Sequence, residues 1–290
     1  MMNLVKKALY SLVLLVWVTG CQPDASTTEP TGVDLSEGTR STRGGHAEVG
    51  CRTPKGAEML EIAGVPVSVK VPEAKTAYMG DILVLHGWNE HFETWCKRSR
   101  LCLKATKKGF RVIMPDMDKS MYMMRAYAET REDWQTLPTF AWLRDSLIQG
   151  LQTKHCLLAE KGQNFVVGVS AGARGVIRLL QETPELFVAG AALSGDYNPA
   201  EMRGDNIYRG FLGEYEGQEE RWKTTENIAA HVDRIRVPVY LGHGKKDDNI
   251  SYEQTEHLYN VLRAAHPSLN VRLNLTSKGH GYTYRNFRIP

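Results

Sequence analysis

Residues 164–175 hold a set of residue types whose order and spacing can do chemistry. Apolar Phe165, Val166 and Val167 lead into Gly168-Val169-Ser170-Ala171-Gly172, and the next residues can run on as a helix. Gly-x-Ser-x-Gly between a strand and a helix is the pattern of a nucleophile elbow. The turn is too tight for side chains two positions before and after the serine, and glycines stand at both. The serine oxygen is left projecting from the end of a strand. The first N–H groups of the helix have no partners within it and favour negative charge nearby. The same pattern also fits a plain structural turn, so the decision rests on residues farther along the chain.

A working serine needs a base and an acid, and on a strand–elbow–helix scaffold they come after it in the order acid, then histidine. Residues 237–241 read as a buried strand that runs into Gly242-His243-Gly244-Lys245-Lys246-Asp247-Asp248. Residues 271–275 alternate like a half-exposed strand and are followed by Ser277-Lys278-Gly279-His280-Gly281. The division of labour is then direct. Ser170 attacks a carbonyl carbon, His280 takes and returns the proton, and Asp247 fixes the imidazole tautomer and stabilises the imidazolium. Asp248 is a neighbouring rival for the acid, and Asp196 is a weaker one that reads as a loop residue. Upstream, residues 81–85 form an apolar strand followed by His86-Gly87-Trp88. The N–H of Trp88 and the N–H of Ala171 are the two expected donors to an oxyanion. His86 and His243 read as hydrogen-bonded structural residues. Asp116 and Asp118 read as loop residues at the rim of the site. His86, His91 and Cys96 match no common zinc spacing, and no metal is expected.

These groups need a scaffold that holds strand ends side by side. Strands are expected near 58–62, 67–71, 81–85, 111–115, 164–169, 188–194, 237–242 and 270–276. Helices are expected near 93–108, 138–160, 172–183 and 251–265. Alternation of near-continuous apolar strands with helices predicts an α/β fold, a mostly parallel central sheet with helices on both faces. Ligands on such sheets bind beyond the carboxyl ends of the strands, where all four elements of the site fall. Two irregular stretches, 117–137 and 196–232, could shape a substrate pocket. Their aromatic residues (Tyr122, Tyr127, Trp134, Tyr197, Tyr208, Phe211, Tyr215 and Trp222) could equally serve only to pack the loops.

The chain resembles the α/β-hydrolase superfamily, and within it the esterase group that includes tributyrin esterases, esterase D and feruloyl esterases. The resemblance covers about residues 55–285. It rests on residues 83–88, on Gly109-Phe-Arg-Val-Ile-Met-Pro-Asp116, on the elbow, and on Pro184-Glu-Leu-Phe-Val-Ala-Gly-Ala-Ala-Leu-Ser-Gly195. It implies an α/β-hydrolase fold and cofactor-free hydrolysis of short-chain or aromatic acyl esters, small-molecule or glycan-linked. The family pattern His-Gly-x-x-Asp selects Asp247 over Asp248. Two departures bear on substrate class. Ala173 and the bulky Arg174 stand where glycine is frequent, and about ten residues after His280 leave little room for the usual final helix. A serine peptidase or amidase on the same scaffold, and a non-catalytic binding lipoprotein, are the alternative readings.

The front of the chain speaks to location. Lys6 and Lys7 precede an apolar run from Ala8 to Val18, which has the length of a signal-peptide core and is too short to span a bilayer. It ends in Val18-Thr19-Gly20-Cys21, which resembles a bacterial lipobox with Cys21 as the lipid-bearing residue. Residues 1–20 are then a signal peptide. Residues 21–50, rich in Ser, Thr, Gly, Pro and Glu, form a flexible tether, and residues 51–290 form the catalytic domain. The expected place is the bacterial cell envelope, with the lipid bilayer as a partner through Cys21. Loss of the signal lowers the net charge from +3 to about +1, which gives no case for nucleic-acid binding. Of five cysteines, Cys51, Cys96, Cys102 and Cys156 remain after Cys21. Three full pairings are open. Cys96 and Cys102 on one regular helix would lie about 9 Å apart along its axis, too far to bridge without a break. Cys156, in an apolar helical stretch, could be buried and free.

Lipidation at Cys21 makes a direct prediction. The mature protein should partition with membranes, Cys21→Ser should release it, and mass spectrometry should find lipid on an N-terminal Cys21. An unmodified N-terminus downstream of Cys21 rules the anchor out.

Overall fold

A computed structural model describes residues 50–281. The signal, the lipobox with Cys21, the tether and the segment after Gly281 lie outside the described residues. Eight strands form one sheet among the described residues: β1 (Glu58–Ile62), β2 (Val65–Lys70), β3 (Gly80–Leu85), β4 (Phe110–Pro115), β5 (Asn164–Val169), β6 (Ala189–Leu193), β7 (Val239–Gly244) and β8 (Val271–Thr276). Their spatial order is β1-β2-β4-β3-β5-β6-β7-β8. The first two pairings, β1 with β2 and β2 with β4, are antiparallel, and every later one is parallel. This is the mostly parallel sheet expected from the sequence. The central strands read as unbroken apolar runs because both faces are covered. Along β3, Ile82 and Val84 pack into the core on one face, while Leu83 and Leu85 pack into the core on the other.

The helix expected over 93–108 is two helices. α1 (Thr94–Arg98) ends at Ser99, whose backbone is extended, and α2 (Leu101–Lys107) starts after Arg100. The Ser99 hydroxyl donates to the Trp95 carbonyl at 2.6 Å and accepts from the Leu101 N–H at 3.2 Å, which satisfies backbone groups at the break. The turn brings the Cα atoms of Cys96 and Cys102 to 5.3 Å, and the two form a disulfide. A second disulfide joins Cys51 to Cys156 across 105 residues, so Cys156 is not free. The 138–160 stretch runs as α3 (Phe140–Trp142), a π-helical segment (Leu143–Ile148) and α4 (Gln149–His155). Cys156 ends it in the left-handed conformation. α5 (Ala171–Glu182) is buried along nearly its whole length. In the 196–232 stretch, read from sequence as irregular, the structure has α6 (Asn206–Leu212) and short 3-10 and π turns. α7 (Glu253–Ala265) flanks β7 and β8. Among the described residues, no helix is long and apolar enough to cross a membrane.

The bulky Arg174 has a structural purpose. It and Arg178, one turn apart on α5, point to the fully buried Glu226. The Glu226 carboxylate accepts from Arg178 at 2.5 Å, Arg174 at 3.2 Å, the Met124 N–H at 2.8 Å and the Tyr127 hydroxyl at 2.6 Å. Arg174 also donates to the Glu226 carbonyl at 2.5 Å. Burial and the Glu226 charge push the Tyr127 hydroxyl pKa up, which keeps it a donor. One carboxylate therefore ties α5 to both stretches that flank the site. Glu226→Gln strands two buried guanidiniums, and breaking a buried pair this way costs about 3–5 kcal/mol. Urea unfolding should show that loss. A variant as stable as the parent would deny the network this role.

Candidate active site

Ser170 sits between β5 and α5 with φ 55° and ψ −126°, a backbone conformation in the left-handed half of the map that a serine rarely adopts. Such strain costs on the order of 1–3 kcal/mol and persists when the surroundings over-determine it. Here the Ser170 N–H donates to the Leu193 carbonyl at 2.8 Å, and its own carbonyl accepts from the Ala173 N–H at 2.9 Å. The flanking glycines are demanded by close approach. A Cβ on Gly168 would stand 2.2 Å from the Gly172 carbonyl oxygen, and one on Gly172 would stand 2.4 Å from the Leu85 carbonyl oxygen. Ala171, the first residue of α5, has an N–H with no partner inside the helix.

The loop after β3 is held from several sides. Trp95 donates its indole N–H to the Leu85 carbonyl at 3.0 Å, and Tyr122 donates to the His86 carbonyl at 2.9 Å. Buried His86 accepts the Met117 N–H on Nε2 at 2.8 Å, so it is Nδ1 that donates, to the Gly87 carbonyl at 2.7 Å. That carbonyl belongs to the Gly87–Trp88 peptide. A trans peptide sets N–H opposite C=O, so the Trp88 N–H is turned away from His86. The Gly87 N–H is taken by Glu90 at 3.0 Å, which leaves Trp88 as the loop's donor.

Across the sheet, Asp247 lies in the turn after β7, and its side chain has no solvent exposure. Its Oδ1 accepts from the N–H groups of Asn249 and Ile250 at 3.0 and 2.9 Å. Its Oδ2 accepts from His280 Nδ1 at 2.7 Å and lies 3.0 Å from His243 Nε2. Burial alone would raise this carboxyl, but the bonds from His243, His280 and Ile250 hold it well below the usual carboxylate range. His243 is itself fixed, with Nδ1 2.6 Å from the Thr255 hydroxyl and Nε2 3.0 Å from the Ile250 carbonyl. Because Nδ1 of His280 donates to Asp247, its Nε2 is left as the basic nitrogen.

Ser170 and His280 face one cleft of about 540 Å³, which Trp88 and Ala171 also line. The structure thus brings together Ser170, Asp247, His280, Trp88 and Ala171. Asp248 is exposed at the mouth. Asp196, expected as a loop residue, is buried and lines the cleft. Of the eight aromatic residues in the two flanking stretches, all are buried and Tyr208 alone lines this cleft. The others pack the walls, as Trp134 does by stacking on Phe211 with centroids 4.7 Å apart. His86 is saturated by backbone partners and Cys96 is in a disulfide, so neither is placed as a metal ligand. Glu90 and Glu226 were not foreseeable site supports. Each acts through contacts set by folding, 3 residues away for Glu90 and as many as 102 away for Glu226.

Comparison with known proteins bears on the fold. Residues 147–289 match the model of the prolyl oligopeptidase family. A search of curated protein sequences returns no match. Among solved structures, the fluorophosphonate-binding serine hydrolase FphF of Staphylococcus aureus superposes with a TM-score of 0.60 at 16% identity, over 79% of this chain and 92% of its own. An S-formylglutathione hydrolase from Agrobacterium tumefaciens gives 0.59 at 15% identity, over 79% and 88%. An acylaminoacyl peptidase from Pyrococcus horikoshii gives 0.60 at 15% identity, over 79% of this chain and 38% of the peptidase, so the chain spans well under half of that protein. At these identities the structural likeness establishes the fold.

The two adjacent aspartates should separate cleanly. Asp247→Asn should lower kcat on the order of 10⁴-fold, since it disturbs the imidazole tautomer, whereas Asp248→Asn should change it only slightly. Because the Asp247 pKa is depressed in the folded state, its contribution to stability is complete above the ordinary value of 3.8 and is lost as pH falls through the lower folded value. The stability gap between the parent and Asp247→Asn, measured by urea unfolding, should therefore narrow below about pH 3.8. The reverse ranking of the two variants would assign the acid to Asp248.

Proposed function

We propose that this chain, a serine hydrolase of the α/β-hydrolase superfamily, cleaves carboxylic esters of short-chain or aromatic acids through an acyl-enzyme. The observation that carries the reading is Ser170 on its strained elbow, sharing one cleft with a histidine anchored to a buried aspartate. Ser170 Oγ attacks the ester carbonyl while His280 Nε2 takes its proton. The carbonyl oxygen becomes an oxyanion that receives hydrogen bonds from the N–H groups of Ala171 and Trp88. Collapse of this intermediate breaks the bond to the alcohol, which leaves with the proton from His280. Water then attacks the acyl-enzyme, His280 takes the water's proton, and Ser170 regains it as the acid departs. Asp247 holds the ring and stabilises each imidazolium. No step calls for a cofactor.

An ester substrate is favoured by the size of the relatives. FphF and the S-formylglutathione hydrolase match over about nine-tenths of their length, whereas the peptidase matches over 38%. The family match at residues 147–289 supports the second reading, a peptidase or amidase using the same groups. The two disulfides support export to an oxidising compartment, in keeping with a lipid-anchored enzyme of the bacterial cell envelope.

A fluorophosphonate probe should label the protein and leave Ser170→Ala unlabelled, with kcat for esters falling on the order of 10⁴-fold or more. In a panel of matched substrates, esters should turn over and peptide anilides should not. The opposite preference makes the protein a peptidase or amidase. Absence of both labelling and turnover leaves a binding protein on a hydrolase scaffold.

A further inference from the structure

The cleft wall carries carboxylates that ester hydrolysis does not use. Glu90, Asp196, Asp205 and Asp248 line it with Ser170 and His280. Two of them have structural work. Glu90 lies 3.6 Å from Arg98 and accepts the Gly87 N–H. Asp205 caps α6, accepting from the N–H groups of Ile207 and Tyr208 at 2.7 and 3.1 Å. Asp196 has none. It comes after β6, is 1% exposed, and neither of its carboxylate oxygens has a hydrogen-bond partner. Burial raises this carboxyl above the ordinary range, against the pull of the Arg174 charge. A buried carboxylate without partners is costly, and such groups in native proteins call for an explanation.

We propose that Asp196 makes this cleft select substrates that carry a protonated amine. The inference deepens the reading of Ser170 as the nucleophile and rests on it. An ammonium group entering the cleft adds an opposite charge near a carboxyl that has no direct partner. The attraction does not require direct contact, because charges at a partly buried site act over several ångströms. Among the described residues lining the cleft, Arg98 is the one lysine or arginine, and it is engaged with Glu90. Asp248, exposed at the mouth, adds a charge of the same sign on the way in. Arg174, whose charge acts on Asp196, is committed to Glu226 by its hydrogen bonds to that residue.

Two fluorophosphonates of equal size test this, one ending in a primary ammonium and the other in a methyl group. Both react by Ser170 Oγ attacking phosphorus and displacing fluoride, so the ratio of their labelling rates reads the cleft without assuming an ester substrate. The ammonium probe should label the parent protein about tenfold faster or more, in line with attraction between opposite charges at a partly buried site. In Asp196→Asn the ratio should fall to near one; any change in Ser170–His280 reactivity is common to both probes and cancels in the ratio, and labelling by the neutral probe shows that the variant is folded. A ratio near one in the parent, or the same ratio in Asp196→Asn, overturns the proposal. Should Asp196→Asn fail to fold, protection of the parent against the neutral probe decides the matter. Butylammonium should protect at concentrations where butanol does not, and equal protection overturns the proposal. If ammonium preference is found but no ester turns over, the ester reading falls and the charge selection stands. If neither probe labels Ser170, both fall.

Discussion

One buried carboxylate organises the surroundings of the nucleophile. Glu226 takes hydrogen bonds from two arginines on α5, from a backbone N–H at Met124 and from the Tyr127 hydroxyl. α5 begins immediately after Ser170, so whatever fixes its face fixes the base of the elbow. Met124 and Tyr127 belong to the stretch after β4, and Glu226 belongs to the stretch after β6. Three elements distant in sequence therefore meet at a single ionic point. A hydrophobic contact could hold them together, but it would not dictate their relative rotation, whereas five directed hydrogen bonds to one residue do. The enclosure has a thermodynamic cost, because both guanidinium Nε atoms remain without partners.

The strain at Ser170 is held by the same logic of over-determination. Its N–H and its carbonyl are both engaged, and glycine on either side lets the backbones of Leu85, Gly168 and Gly172 close to distances that no side chain permits. The oxyanion loop repeats the principle with different means. There, His86, Trp95, Tyr122 and Glu90 each grip a backbone group, so the peptide that must present Trp88 has no freedom to turn. Asp247 is surrounded in the same way, by four donors. Each functional group is rigid because its neighbours are saturated.

How much of this the sequence discloses depends on the range of the interaction. The central strands β3 to β7 are legible because a strand buried on both faces must be apolar along its length, and β8 is legible by its alternation. Ser170, Asp247 and His280 are legible for a related reason, since each lies in the turn or loop that follows a strand. The break between α1 and α2 is not legible. Nothing in the composition of residues 93–108 distinguishes a straight helix from one interrupted where the Ser99 hydroxyl takes over backbone bonds. Arg174 stands out in the sequence as an oddity, but its partner lies 52 residues away and no local pattern points there. Asp196 reads as a loop residue because loops are commonly exposed. Its burial is set by the tertiary fold, which no local pattern around it announces.

The Cys51–Cys156 bond has a mechanical consequence. Cys51 stands near the start of the described residues, and the bond joins it to the end of α4. Any pull delivered from the N-terminal side passes through sulfur into Cys156. The stretch between the two cysteines, which includes β1 to β4 and the loop that presents Trp88, lies inside a covalent ring and carries no end-to-end tension. Without the bond, the same pull would peel β1 from the sheet edge first, because its hydrogen bonds to β2 would be loaded one at a time, like a zip. With it, the force meets the domain at the helix end, and the half of the site that builds the oxyanion pocket is left out of the load path.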